Sequence, residues 1–152
     1  MSRMPKPLCF EDVEVGDAPD PLVLPPLTRT RFVRYAGASR DFNPNHHDEV
    51  YAWAHGNPSV FAMGMIPGGN CARLLTDWLG DGVLRRLRLR FVSRAWPDDV
   101  LTCSARVYRK REEGSEGRVE CEFSAVNQRG EVVIRGDADA SLPRRSLLRR
   151  RT

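Results

Sequence analysis

The sequence predicts an α+β domain in which one long helix lies on an antiparallel sheet. Three observations carry this. A helical apolar period runs over residues 65–79. The pattern then changes to alternation, beginning with Leu87, Leu89 and Phe91 set against Arg86, Arg88 and Arg90. Turn-forming clusters separate the further alternating runs, as in successive hairpins.

The elements can be justified in order. Residues 8–28 are Pro-rich, and Val13, Val15, Leu22, Val23 and Leu24 suit a loop and an early strand that ends at Pro25-Pro26. Thr28 is a good helix N-cap. Phe32, Val33, Ala36 and Ala38 give the short helix behind it an apolar side, and Asn43-Pro44 stops it. A second helix is expected over 49–54, broken by His55-Gly56-Asn57-Pro58. In the long helix, Cys71, Leu74, Leu75 and Trp78 form one stripe. Gly68, Gly69 and Ala72 are small enough for a close approach to a sheet or a ligand, at some cost in helix propensity. Leu84 is out of parity with Leu87, Leu89 and Phe91. Val100, Thr102, Ser104 and Arg106 alternate with Leu101, Cys103, Ala105 and Val107. Strands over 118–127 and 131–142 follow, joined at Gln128-Arg129-Gly130, and the hairpin before them turns within 112–117.

A chain of 152 residues can bury one real core and leaves little room for a second. The expected organisation is a flexible N-terminus over 1–9, one domain over 10–142, and a basic, disordered tail over 143–152. No apolar run approaches the roughly 18 residues of a membrane span, and no signal-peptide core follows the first residues. Cys9, Cys71, Cys103 and Cys121 lack metal-binding spacing and suit small core positions in a reducing cytoplasm. No metal or cofactor is expected.

The formal charge is +4, and only Lys6 and Lys110 among the 24 basic residues are lysine. The arginines concentrate in the tail and at Arg85, Arg86, Arg88 and Arg90. No groove-reading or base-stacking motif accompanies them, so nucleic acid is not an expected partner. A basic mouth for an anionic substrate carrier is a simpler role, and a solvated arginine face is simpler still.

The most informative segment is Asp41-Phe42-Asn43-Pro44-Asn45-His46, followed by His47-Asp48. A carboxylate and an imidazole five positions apart across an Asn-Pro turn can manage the two protons of a hydration. The same spacing also fits an Asx turn at a helix end, with both imidazoles in solvent.

The run from Tyr35 to His46 resembles the hydratase motif of the MaoC-like family, which contains R-specific enoyl-thioester hydratases and (3R)-hydroxyacyl thioester dehydratases. Gly64-Met65 falls where that family has His-Gly-Met. Gly68-Gly69, Thr76-Asp77-Trp78-Leu79-Gly80, Arg90-Phe91-Val92 and Pro97-Asp98-Asp99 extend the likeness, which runs from about Phe10 to about Leu142. Met63 departs from it, standing where the family has histidine.

The resemblance implies a hot-dog fold, a sheet wrapped around the long helix, and reversible hydration of trans-2-enoyl thioesters to (3R)-3-hydroxyacyl thioesters. The thioester carrier would be coenzyme A or acyl-carrier protein. Asp41 would be the base, and His46 would position water and shuttle a proton. Register favours His46 over His47, and His55 reads as a loop residue. Gly64 or Met65 would supply amide donors for the thioester oxyanion at the helix N-terminus. Asn43 would brace the turn or touch the ligand. A homodimer is implied, or a heterodimer with a second hot-dog subunit. The alternatives are a hot-dog acyl thioesterase and a subunit of a heteromeric dehydratase.

Overall fold

The computed structural model of the protein describes residues 8–114 and 116–148. Its secondary structure is β1 (Leu22–Val23), α1 (Arg29–Ser39), α2 (Glu49–Ala54), α3 (Met65–Leu79), β2 (Leu84–Phe91), β3 (Thr102–Glu113), β4 (Glu116–Val126), β5 (Val132–Pro143) and α4 (Arg145–Leu148). The strands form one antiparallel sheet in the order β1-β3-β4-β5-β2. The expected α+β architecture is present, with α3 packed across β2, β3, β4 and β5.

Side-chain size explains how the helix nests. The inward positions of the central strands are largely small: Cys103, Ala105, Cys121, Ala125, Ala138 and Ala140 are all buried. Ile66, Cys71, Leu74, Leu75 and Leu79 of α3 join them in one core. All four cysteines are buried, and burial pushes the Cys121 thiol up to about 12. The outward positions carry charge instead. Arg106, Glu122, Asp137 and Arg88 lie in one row across four strands, with Arg106–Glu122 at 2.9 Å and Arg88–Asp137 at 3.2 Å. Each such exposed pair contributes little, but together they solvate the outer face.

The parity problem in β2 has a structural answer. A bulge between Leu84 and Arg86 shifts the register against β5 by one residue. Leu84 therefore comes into phase with Leu87 and Leu89, and all three pack against the core.

Gly136 on β5 is fixed by space. A Cβ there would overlap the Arg88 carbonyl oxygen and meet Phe123 Cζ at 2.5 Å. Gly136→Ala should therefore destabilise the domain by about 1–3 kcal/mol. Urea unfolding should show a lower midpoint with an unchanged slope, and an unchanged midpoint would contradict this packing.

The ends of the domain differ from expectation. Cys9, grouped above with the flexible N-terminus, is 2% exposed, and its N–H donates to Asp12 Oδ2 at 3.0 Å. The chain also stays with the domain past residue 143. The Arg145 side chain pairs with Asp12, its N–H donates to Glu11 at 3.1 Å, and Arg144 pairs with Glu112. Basic residues that looked like a solvated tail find carboxylates on neighbouring elements, which sequence spacing could not reveal. Residues 1–7 and 149–152, assigned above to the two termini, lie outside the described residues. Among the described residues, no helix is long and apolar enough to cross a membrane.

Candidate active site

The segment between α1 and α2 is held by a ladder of side-chain-to-backbone bonds. At the end of α1 the Ser39 hydroxyl donates to the Tyr35 carbonyl at 2.7 Å and accepts the Asp41 N–H at 3.2 Å. Arg40 turns the chain through a left-handed conformation, φ 61°. Asp41 Oδ1 then accepts the Asn43 N–H at 3.3 Å. Asn43 Oδ1 accepts the Asn45 N–H at 3.0 Å, capping a 3-10 turn over Pro44–His46. These are Asx bonds. The Asx turn set out above as an alternative is thus present, but it does not leave both imidazoles in solvent: His47 is exposed, whereas His46 is buried and lies beside the acid.

A second strand of chain braces the imidazole. Asn57 Nδ2 donates to Asn45 Oδ1 at 3.0 Å, and the Phe61 N–H donates to the Asn45 carbonyl at 3.2 Å. This brings the Phe61 carbonyl to 2.7 Å from His46 Nδ1. The Phe61 ring meets the imidazole edge-on, with centroids 4.9 Å apart. A carbonyl oxygen can only accept, so Nδ1 carries the proton. In the neutral ring Nε2 is then a free acceptor. It lies 3.7 Å from Asp41 Oδ2. The His46 side chain is 8% exposed and that of Asp41 is 45% exposed. A buried acceptor thus sits beside a solvated one.

Asp41 lines a cleft of about 340 Å³ with Tyr35, Met63, Gly64, Met65 and Phe91. The start of α3 therefore faces the same space as the carboxylate. Ile66 N–H already bonds to the Met63 carbonyl at 2.9 Å, and Pro67 has no N–H. Among the described residues, the Gly64 and Met65 N–H groups have no backbone partner. They are the donors left over at this helix end. Met63, at the departed position, is buried at 2% exposure.

Other candidates are placed elsewhere. His47 is exposed and its Nε2 donates to the Phe42 carbonyl at 3.2 Å. His55 stacks on Tyr51. Asn43 is exposed and spends its amide oxygen on the turn. Among the described residues, no group of three or more His, Cys, Asp or Glu is placed to hold a metal ion.

Sequence reasoning missed Asn45, Asn57 and Phe61, whose work is to aim His46. Asn57-Pro58 read only as a helix breaker, and a backbone carbonyl leaves no mark in a sequence. It also missed Phe91. The ring of Phe91 covers Gly64 so closely that a Cβ on Gly64 would overlap it. At Gly64, expected to supply an oxyanion donor, the missing side chain makes room for Phe91.

Fold and site together define a hot-dog protein with an acid–imidazole loop beside a helix start. Residues 12–128 match the MaoC-like domain, and the chain belongs to that family. An R-hydratase of Pseudomonas aeruginosa, PhaJ1 in unliganded form, superposes with a TM-score of 0.79 at 25% identity, covering 90% of this chain and 86% of that one. The ChsH1–ChsH2 complex of Mycobacterium tuberculosis gives 0.74 at 26% identity, covering 85% of this chain and 98% of that one. The beta subunit of the same organism's 3-oxo-4,17-pregnadiene-20-carboxyl-CoA hydratase is 34% identical over 79 residues, 51% of this chain and 61% of that subunit. The chain spans 6% and 61% of the lengths of two curated relatives that it matches.

Proposed function

We propose that the protein hydrates trans-2-enoyl thioesters to (3R)-3-hydroxyacyl thioesters, and catalyses the reverse dehydration. The observation that carries this reading is the pair of acceptors, Asp41 Oδ2 and His46 Nε2, 3.7 Å apart beside two unpartnered amides. A carboxylate and a bare imidazole nitrogen do not bond to each other. A water seated against both donates one hydrogen to each, which fixes its lone pairs for attack.

The step balances as follows. His46 Nε2 takes one proton from the water, and the hydroxide oxygen bonds to the β-carbon of the enoyl group. The electron pair of the double bond moves towards the thioester oxygen, where the Gly64 and Met65 N–H groups stabilise the negative charge. The proton on Nε2 then passes to the α-carbon and the ring returns to neutral. Asp41 orients the water and balances the transient imidazolium. This assignment differs from the sequence-based division, which made Asp41 the base. What supports it is the Phe61 carbonyl, which engages Nδ1 as donor and leaves Nε2 able to accept.

The test is loss of the ultraviolet enoyl-thioester band across a panel of trans-2-enoyl-CoA substrates, with chiral analysis of the product. Band loss with (3R)-hydroxy product supports the reading. Release of free thiol instead would indicate the thioesterase alternative.

One observation favours a second reading, in which this chain works as one subunit of a heteromeric hydratase. The Mycobacterium tuberculosis relative is itself a beta subunit. The purified chain would then turn over poorly alone and gain activity from a second hot-dog chain.

A further inference from the structure

We propose that Phe91 sets the acyl specificity of this site, its ring closing a passage between the Asp41 cleft and an apolar pocket beneath the start of α3. The proposal rests on the thioester reading above. Besides the Asp41 cleft, the domain has a hollow of about 250 Å³ lined by Ala62, Pro67, Ala95, Val133 and Ile134, among others. The two hollows share only Gly64 and Phe91. The ring stands directly on the Gly64 α-carbon, with no room for one more carbon atom between them. It therefore sits beside the two unpartnered amides, at the point where an acyl chain would leave the cleft for the pocket.

The ring is held lightly. Phe91 is the last residue of β2, which is an edge strand. It is 58% exposed. The next two residues leave the ladder, both donating to the Val133 carbonyl, at 2.9 and 3.3 Å. A rotamer change would swing the ring into solvent without breaking a backbone bond. The second hollow, mostly apolar but with Ser93 and Arg94 also in its lining, would then continue the cleft. With the ring in place, a short acyl group fits in the cleft alone. A long one must displace the ring and expose its apolar surface, which costs binding.

The test compares the wild-type chain with Phe91→Leu and Phe91→Ala on trans-2-butenoyl-CoA and trans-2-dodecenoyl-CoA. The ratio of kcat/KM for the long substrate to that for the short one should rise at least about tenfold in Phe91→Ala, equivalent to about 1.4 kcal/mol. Phe91→Leu should fall between. The same proteins are titrated calorimetrically with butyryl-CoA and dodecanoyl-CoA, which cannot be hydrated. The affinity ratio should move in the same direction. Absent hydration together with a shifted affinity ratio would sink the hydratase reading and leave the Phe91 assignment standing. An affinity ratio unchanged in Phe91→Ala, or no binding of either saturated thioester, would overturn the assignment. Unaltered thermal melting of the exposed Phe91 variants checks that the fold is retained.

Discussion

Asp41→Asn and His46→Gln are each expected to lower turnover by at least about a hundredfold, the low end of general acid–base contributions. The two changes should differ in their effect on stability. Asp41 is half in solvent, so its amide should leave the melting temperature in place. His46 is buried and bonded to the Phe61 carbonyl, so its replacement also touches packing. Glutamine can keep a donor for that carbonyl, whereas alanine leaves it unpaired at a cost of about 1–3 kcal/mol. His46→Ala should therefore be both inactive and less stable, and His46→Gln inactive with a smaller loss. Asp41 and His46 are read as acting on one water. The double variant should then be little worse than either single one, because groups that act as a unit are not additive. Steady-state rates with an enoyl-CoA substrate measure this. If His47→Ala inactivated the protein while His46→Gln did not, the assignment of the imidazole would be wrong.

The fold was legible because its signals are local. Thr28 caps α1 by accepting the Arg31 N–H, as its residue type suggests. The extents of α2 and α3 follow from apolar period and from the breakers after them. The hairpin pairing of β3, β4 and β5 follows from alternation and turns. The bulge in β2 was visible only as a broken parity at Leu84, since a bulge is defined against the partner strand. In the loop, the pairing of Asp41 with His46 was legible because both belong to one short turn. The division of labour proposed for them was not. It rests on the Phe61 carbonyl, fifteen residues away in sequence, which arrives through the Asn45 and Asn57 bonds. Phe91 was hidden for the same reason. In the sequence it is one apolar position in a strand, and only the three-dimensional approach to Gly64 gives it a place at the site.

Gly64→Val is expected to remove activity, by about a hundredfold or more, while the protein stays folded. The backbone at Gly64 has φ −56° and ψ −29°, an ordinary helical conformation open to any residue. Glycine is required there for space alone. Valine would push out the Phe91 ring, and Phe91 is exposed enough to move without disturbing the core. Its methyl groups would then stand near the Gly64 and Met65 N–H groups and hold a thioester oxygen away from them. Loss of one oxyanion donor costs about 10²–10³ in turnover in other enzymes. Two causes of inactivation are thus possible, a displaced ring and obstructed amides, and a second background separates them. In Phe91→Ala there is no ring to displace. If Gly64→Val still lowers kcat at least about a hundredfold in that background, the amides are what it obstructs. Recovery to near the Phe91→Ala rate would mean that the ring alone mattered. The donors for the oxyanion would then have to be sought away from the start of α3.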